Sequence, residues 1–275
     1  MTRSSASGRP EPAAYATPAH EPSTGRALLG RRALVTGASR GIGRAIAVAF
    51  AAAGADLTVT ARDEDGLART ADAITGHRRR AVVLPADLEE EDAPKRVIGH
   101  AADRLGGLDI VVNNAAWAVA TPFEGLDPKL WRRSLRLNLE VPAQLCRAAL
   151  PHLEDSDAGC VINIGSVAAF QAFPTTPHYA AGKAGLVSLT RTLAVEWAPQ
   201  GIRVNALCPG YTRTEMTEPW WSDSDASEQI TSAIPQARWA EPAEIAGPAV
   251  FLASAAASYI TGQVLIVDGG LLTSA

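Results

Sequence analysis

Short apolar runs alternate with helical stretches along this chain from Arg32 onward. Such runs are typical of strands buried on both faces of a sheet, and two parallel neighbours can be joined only through a crossover such as a helix. The pattern therefore predicts an α/β fold: one doubly wound domain with a seven-stranded parallel sheet and helices on both faces. The predicted strands are Ala33–Thr36, Leu57–Thr60, Ala81–Leu84, Leu108–Val112, Val161–Ile164, Arg203–Leu207 and Val264–Val267. The predicted helices are Ile42–Ala53, Asp63–Thr75, Glu89–Leu105, Pro128–Leu150, His178–Trp197 and Pro242–Ala253.

Residues 1–27 contain Pro10, Pro12, Pro18 and Pro22 among small polar residues, and the first leucine is Leu28. Because the stretch has no apolar segment of the kind that a secretory signal requires, we expect a disordered N-terminal extension. Residues 28–275 are enough for one domain. The longest run without a strongly polar residue, Ala45–Ala55, is too short for a membrane-spanning helix, which needs about 20 residues.

The charge balance limits the partners that the chain can have. With 25 basic and 29 acidic residues, the surface does not favour nucleic acid or an anionic membrane. The three cysteines, Cys146, Cys160 and Cys208, form no CxxC pair. We therefore expect no disulfide framework, no metal site and a cytoplasmic location.

A glycine-rich turn lies directly between the first predicted strand and the first predicted helix. It reads Thr36-Gly37-Ala38-Ser39-Arg40-Gly41-Ile42-Gly43. Glycines at such a place let the backbone approach a pyrophosphate, which sits on the free N–H groups of the helix N-terminus. The alternative is a plain tight turn, and the strand before it and the helix after it favour phosphate binding.

Tyr179 and Lys183 are four residues apart in a predicted helix, so the phenol and the ammonium share a face and one site. The chain has three lysines, Lys95, Lys129 and Lys183, which makes a chance Tyr-x3-Lys pairing rare.

Together with the glycine turn, this pair resembles the short-chain dehydrogenase/reductase family, in its 3-oxoacyl reductase and gluconate dehydrogenase-like clade. The resemblance extends from about Arg31 to Gly270 and implies a Rossmann domain that carries both the cofactor site and the substrate site. Further matching pieces are Asn113-Asn114-Ala115-Ala116, Asn138, Ser166, Pro209-Gly210-Tyr211-Thr212-Arg213-Thr214, Tyr259-Ile260-Thr261-Gly262 and Val267-Asp268-Gly269-Gly270.

The resemblance implies a catalytic group of Asn138, Ser166, Tyr179 and Lys183. Tyr179 would be the general acid/base that exchanges a proton with the substrate oxygen. The Lys183 cation, together with the positive nicotinamide of the oxidised cofactor, would lower its pKa from the ordinary value near 10. Ser166 would hydrogen-bond the carbonyl oxygen. Asn138 would hold a water that relays protons from Lys183, although a buried asparagine that caps backbone groups is an open alternative.

The resemblance also predicts the cofactor. In this family an acidic residue at the end of the second strand marks NAD(H), and that position is Ala61 here. Arg62 follows it, and Arg40 lies in the glycine turn, so we expect NADP(H), whose 2′-phosphate suits two guanidinium groups. Asp87 resembles the adenine contact, but a strand-end turn residue is almost as good an interpretation. The expected cofactor-binding residues are Gly37, Ser39, Arg40, Gly41, Ile42, Gly43, Arg62, Asp87, Leu88, Asn114, Ala115, Tyr179, Lys183, Pro209, Gly210, Thr212 and Thr214.

The substrate pocket of the family is built after strands four, five and six, and here that predicts aromatic walls suited to an apolar body. Trp220 and Trp221 could equally pack a lid onto the body of the protein. The expected substrate contacts are Trp117, Ser166, Ala168, Phe173, Tyr179, Tyr211 and Trp220.

Three functions remain open. We favour an NADP(H)-dependent oxidoreductase that interconverts a ketone and a secondary alcohol on a free small molecule. The alternative is a 3-oxoacyl-[acyl-carrier-protein] reductase, which the acidic run Glu154-Asp155-Ser156-Asp157 before strand five disfavours because an acidic carrier would be repelled. A catalytically silent protein that senses NADP(H) is the third, and it would need no acid/base tyrosine.

A homo-oligomer, as a tetramer, is expected from two long helices, Pro128–Leu150 and His178–Trp197. The second carries Leu186, Leu189, Leu193 and Trp197, more apolar cover than a lone surface helix needs. In the family these helices pair across a two-fold interface.

Overall fold

The computed structural model describes residues 26–273. The predicted N-terminal extension therefore lies outside the described residues, except for its last two positions. Seven strands form one parallel sheet in the order β3-β2-β1-β4-β5-β6-β7, and the predicted fold class is confirmed. The strands are β1 Arg32–Thr36, β2 Asp56–Ala61, β3 Ala81–Pro85, β4 Ile110–Asn113, β5 Cys160–Ile164, β6 Arg203–Pro209 and β7 Val264–Val267.

Helices cover both faces of this sheet, as expected of parallel strands joined by crossovers. They are α1 Gly41–Ala52, α2 Glu64–Gly76, α3 Ala93–Leu105, α4 Pro128–Leu135, α5 Val141–Glu154, α6 Pro177–Trp197, α7 Glu218–Trp221, α8 Ser224–Ser232 and α9 Pro242–Ala253. One apolar core lies under α1, α2 and α9 and includes Phe50 and Ile245. A second lies under α3, α5 and the end of α6 and includes Val97, Leu145 and Trp197.

The predicted helix Pro128–Leu150 is not continuous. A π-helical turn, Arg136–Glu140, separates α4 from α5. Pro142 explains the break, because it has no N–H to donate to the carbonyl of Asn138 four residues earlier. The Val141 N–H instead reaches back to the Arg136 carbonyl, five residues away. Such π-turns often mark functional sites, and this one is centred on a predicted catalytic residue.

Two other predictions differ from the structure. The helix predicted from Glu89 begins at Ala93, since the Asp87 carboxylate accepts the Glu89 N–H at 3.0 Å and holds the preceding residues in a turn. Helices α7 and α8 were not predicted. Their sequence is mostly polar apart from Trp220, Trp221 and Ile230, and it lacks the apolar periodicity that marks a helix.

No helix among residues 26–273 is both long enough and apolar enough to cross a membrane. The three cysteines are buried and free, which is compatible with a reducing compartment. The cytoplasmic location stays a prediction.

An ion pair joins β1 to the start of β4 at the amino ends of the strands. The Asp109 carboxylate accepts the backbone N–H and the Nε–H of Arg32 at 2.8 and 2.9 Å, and its other oxygen accepts Arg32 Nη2 and the Ser156 hydroxyl, both at 2.6 Å. Burial alone would raise the pKa of Asp109, but the hydrogen bonds from Arg32 and Ser156 outweigh it and the pKa is lowered.

Asp109→Asn should reduce the free energy of unfolding at pH 7 by about 2 kcal/mol, because a charged acceptor of several hydrogen bonds is lost. Since the folded-state pKa is lowered, this contribution is present above the unfolded-state pKa of about 4 and fades as the pH falls through the folded-state value. Denaturant unfolding at pH 7 and pH 3 measures both effects. Asp103→Asn, at an exposed site on α3, is the control; equal losses in the two variants would contradict the assignment.

Candidate active site

A cleft of about 570 Å³ opens at the carboxyl ends of the strands. The chain turns to opposite sides of the sheet after β1 and β4, which are neighbours, and parallel α/β sheets bind ligands at such a switch point. The turns after β1, β2, β4, β5 and β6 all contribute to the lining. The volume is in the range of ligand sites.

The glycine turn forms one side of the cleft. Gly37 and Gly41 have φ angles of +63° and +53°, which favour glycine. Gly43 faces the turn so closely that a Cβ there would lie 2.3 Å from the Gly37 carbonyl oxygen. No acidic side chain lies in the first turn of α1, and its N-cap residue makes no side-chain cap. The first N–H groups of α1 are thus available to an anion.

A cross-strand clamp fixes this turn against β4. The Thr36 hydroxyl accepts the backbone N–H groups of Asn114 and Ala115 at 2.9 and 3.0 Å. The Asn114 side-chain amide donates back to the carbonyl oxygens of Thr36 and Gly37 at 2.9 and 3.2 Å. The two turns that frame the switch point are therefore held at one separation.

Two exposed guanidinium groups border the same half of the cleft. Arg40 pairs with Glu215, and Arg62 lies 3.8 Å from Asp87 and 4.0 Å from Glu89. The prediction that Ala61 lies at the end of the second strand is correct, because it is the last residue of β2. Ala61 also lines the cleft. Asp87 lines the cleft too, while its carboxylate also closes the turn after β3, so both interpretations of it have support.

Ser166, Tyr179 and Lys183 meet at the floor of the cleft. Ser166 directly follows Gly165 at the end of β5, and the other two lie near the start of α6. Lys183 is buried, and its ammonium donates to the Ile164 carbonyl oxygen at 2.7 Å. Its Nζ lies 5.6 Å from the centre of the Tyr179 ring. Two titratable groups thus share one desolvated site.

The protonation of this pair is set by burial. Burial raises the pKa of Tyr179 to about 12, against a smaller opposing contribution from Ser166. Burial also lowers the pKa of Lys183 to about 8. In the ligand-free chain, burial therefore shifts the pKa of the phenol upward, and at neutral pH Tyr179 is a protonated phenol. The lowering expected with a charged lysine and a bound oxidised cofactor stays a prediction.

Asn138 is fully buried one layer behind the cleft. Its amide group donates to the Trp117 carbonyl oxygen at 2.7 Å and to the Ser134 carbonyl oxygen at 3.0 Å, and its Oδ1 accepts the Trp117 N–H at 3.3 Å. The side chain is thus occupied with backbone groups, as in the alternative left open above. Gly182 packs on it, since a Cβ there would lie 3.0 Å from the Asn138 Cβ.

All the expected cofactor-binding residues line the cleft, and so do Ser166, Ala168, Phe173, Tyr211 and Trp220. Trp117 is not among the residues that line the cleft: its ring lies 4.7 Å from the Arg133 guanidinium and 5.9 Å from the His178 ring. Its contact with substrate stays a prediction. Trp220 and Trp221, for which a lid was the alternative interpretation, differ in their contacts. Trp220 lines the cleft, whereas the Trp221 indole donates to the Thr214 carbonyl oxygen at 3.0 Å and packs the segment down.

Several lining residues were not predicted, namely Ala118, Val119, Ala120, Met216, Ile230 and Glu215. Most lie in loops or on α7–α8, where the sequence offers no motif. The adjacent Trp220 and Trp221, a few residues after Met216, were the sequence feature that could have indicated a lining segment here.

Comparisons with known proteins agree with this geometry. A family model described as enoyl-(acyl carrier protein) reductase matches residues 37–272. The 2-dehydro-3-deoxy-D-gluconate 5-dehydrogenase of Escherichia coli is 36% identical over 246 residues, 89% of this chain and 96% of that protein. The 3beta-hydroxysteroid dehydrogenase 1 of Eggerthella lenta is 37% identical over 89% of this chain and 94% of that one. A gluconate 5-dehydrogenase from Burkholderia cenocepacia, solved with NADP and tartrate, superposes with a TM-score of 0.85 at 36% identity and covers 90% and 96% of the two chains.

Because burial lowers the pKa of Lys183 to about 8, its side-chain signals should titrate near that pH in the ligand-free protein. The chain has three lysines, so ¹³C,¹⁵N-lysine labelling gives few side-chain signals to follow by NMR between pH 6 and 11. Lys183→Met should remove the signal that moves near pH 8, and Lys95→Met, at an exposed site, should leave it. A Lys183 signal that does not move below pH 10 would refute the desolvation of this ammonium.

Proposed function

The chain belongs to the short-chain dehydrogenase/reductase family, and we propose that it uses NADP(H) to interconvert a ketone and a secondary alcohol on a free small molecule. It is an oxidoreductase by family. The observation that carries the proposal is the convergence of Ser166, Tyr179 and Lys183 at the floor of a cleft whose other side is the glycine turn.

The cofactor half of the cleft fits a dinucleotide phosphate. The Cβ-free surface of Gly37 and Gly43 gives close backbone access, and the first N–H groups of α1 suit a pyrophosphate. Arg40 and Arg62 are close enough to the end of β2 to hold a 2′-phosphate, and Ala61 offers no carboxylate to a free ribose hydroxyl. Relatives solved with NADP support the same assignment.

The residues at the floor then divide the proton chemistry between them. NADPH supplies the hydride for ketone reduction, and its oxidised form brings a positive ring. Tyr179, protonated at neutral pH because burial raises its pKa, would donate its proton to the developing alkoxide. The Ser166 hydroxyl would hold the carbonyl oxygen in reach. Lys183, whose pKa is about 8, would then return a proton to the Tyr179 phenolate.

Two charge observations bear on the choice between a free substrate and an acyl carrier. The acidic run Glu154–Asp157 comes before β5 and so lies at the amino edge of the sheet, opposite the cleft, where Asp157 pairs with Arg31. Within one chain it cannot touch a carrier at the cleft, so the reason given for it above does not hold. The α7–α8 segment, residues 215–232, contributes to the cleft lining and includes Glu215, which pairs with Arg40. Outside the lining it has four further exposed carboxylates and no cation: Glu218, Asp223, Asp225 and Glu228. A negative charge on this segment would disfavour the approach of an acidic carrier.

A silent sensor of NADP(H) is the weaker candidate. Tyr179 lies beside Ser166 and Lys183 in the cleft, and a protein that only binds a cofactor would need no acid/base tyrosine. The proposal also includes a homo-oligomer. Leu186 and Trp197 are already buried within one chain, so the support now comes from exposed apolar residues such as Val195 on α6 and Phe251 on α9.

Arg62→Ala should raise the KM and the Kd for NADPH about tenfold or more and leave the values for NADH almost unchanged, because one phosphate-binding guanidinium is removed. Ala61→Asp should turn the preference toward NADH, since a carboxylate there repels the phosphate and accepts ribose hydroxyls. Arg104→Ala, at an exposed site on α3, is the control. Steady-state kinetics and fluorescence titration measure both; an unchanged preference in Ala61→Asp would contradict the NADP(H) assignment.

Tyr179→Phe should keep NADPH binding and lower kcat by about 10²–10⁴-fold, because the ring stays and the acid/base oxygen is lost. Tyr259→Phe, at a fully exposed site, is the matched control. Lys183→Ala should also lose activity, and the double variant should be little worse than the worse single one, since both changes disable the same proton transfer. Additive losses would mean that the two residues act independently, and full activity in Tyr179→Phe would favour the sensor.

A further inference from the structure

The charges of the cleft are divided between its two halves. The cations in the lining are Arg40, Arg62 and Lys183. The two arginines border the cofactor half and pair with carboxylates there, and Lys183 lies under the floor on the Ile164 carbonyl. The other half is lined mainly by apolar and aromatic side chains, among them Val119, Ala168, Phe173, Tyr211, Met216 and Trp220. Thr175, Thr176 and Thr217 add hydroxyl groups to the lining, and none of these side chains carries a charge at neutral pH. Within the described residues, the substrate half therefore offers no cation to an anion.

An apolar wall backs this half. The Phe173 and Tyr211 rings meet edge to face with 5.9 Å between their centres, and Tyr211 and Trp239 do the same at 5.1 Å. Behind them lies a small core of Val167, Ile234 and Leu271. Interlocked rings on a packed core are rigid, so the wall cannot rearrange to expose a polar group.

Arg213, which follows this wall in the sequence, does not supply the missing charge. Its guanidinium is 3.8 Å from Glu241 and lies over the Trp221 ring at 5.9 Å, outside the cleft lining. Of the five carboxylates on the α7–α8 segment, Glu215 lines the cleft and is paired with Arg40, and the other four lie outside the lining. A carboxylate substrate would thus find no free cation among the described residues that line the substrate half, and burying an unpaired ion is costly.

We infer that the substrate of this site is an uncharged ketone with a ring-sized apolar body, and that sugar acids and other carboxylates are excluded. The inference rests on the proposed function, since it names the substrate class of the same site. It separates two kinds of relative that are almost equally similar to this chain, the gluconate-type dehydrogenases and the hydroxysteroid dehydrogenase.

A pair of ketones that share one shape and differ in charge gives the direct test. 4-Methylacetophenone is neutral, and 4-acetylbenzoate carries a carboxylate at the methyl position. With NADPH we expect kcat/KM for the neutral ketone to exceed that for the acid by about 100-fold, because the site cannot neutralise the buried anion. 5-Keto-D-gluconate, the polyhydroxy acid arm, should be as poor as 4-acetylbenzoate or poorer. An acid used as well as the neutral ketone would overturn the inference.

A charge placed in the wall should reverse part of this preference. Met216→Lys should raise kcat/KM for 4-acetylbenzoate about tenfold and lower it for 4-methylacetophenone, since the new ammonium faces the cleft. Gln229→Lys adds the same charge to exposed α8 outside the lining and should leave the ratio within about twofold. Equal effects in the two variants would mean that the general field, and not the empty substrate half, sets the preference.

Binding without turnover keeps this inference separate from the proposed function. Tyr179→Phe protein with NADP⁺ should bind 4-methylacetophenone and not 4-acetylbenzoate in ligand-observed NMR. If no ketone is turned over by the native chain but the neutral one still binds selectively, the proposed function fails. The assignment of a ketone substrate then falls with it, and the exclusion of carboxylates from this site stands. If ketones are turned over with the acid preferred, or if the acid binds better, the inference fails.

Discussion

The cleft depends on one joint, the clamp between the ends of β1 and β4. Thr36 and Asn114 are 78 positions apart in the chain, yet each satisfies backbone groups of the other's turn. A Cβ at position 43 would clash with both the Gly37 carbonyl and the Asn114 amide. The clamp therefore requires glycine at this position. The joint sets the distance between the phosphate-binding turn and the loop after β4, and the site residues on β5, α6 and β6 are placed relative to it by strand register.

The catalytic pair shows how burial alone can set an acid/base state. Desolvation disfavours charge on both partners, so it raises the pKa of the phenol and lowers that of the amine. At neutral pH the ligand-free site therefore holds a proton on Tyr179 and a readily exchanged proton on Lys183. In the proposed reaction, a protonated Tyr179 would suit protonation of a ketone oxygen. Alcohol oxidation would require phenolate instead, and the positive ring of the oxidised cofactor would favour it.

Much of the fold followed from local pattern, since all seven strands are apolar runs in the sequence. This holds even for the edge strands β3 and β7, which are only partly buried. The site residues found by motif are those whose chemistry fixes their spacing, such as Tyr179 and Lys183 on one helical face. The differences from the structure have a common cause in tertiary context. Pro142 removes one N–H and so converts a regular helix into a π-turn at Asn138. Trp117 follows a predicted site strand, yet Asn138 holds its backbone and turns its ring toward Arg133. The phenol pKa depends on burial, which no spacing rule reports.

The distribution of charge links the cofactor half to the substrate half. Arg40 pairs with Glu215, and Arg62 lies near Asp87 and Glu89. Glu89 is half-buried and is held mainly by bidentate hydrogen bonds from Arg133. The guanidinium groups of Arg40 and Arg62 are both exposed, and exposed pairs contribute about 0–1 kcal/mol. A phosphate that forms bidentate, charge-assisted hydrogen bonds outcompetes them at low cost. The carboxylates thus keep two arginines beside an apolar cavity without leaving unpaired charge in the ligand-free chain. They also withhold those arginines from a carboxylate substrate, because Glu215 already occupies the guanidinium that lies closest along the chain to the glycine turn. The same acidic residues thus balance the charge of the two arginines when no phosphate is bound, and they make the substrate half selective for neutral molecules.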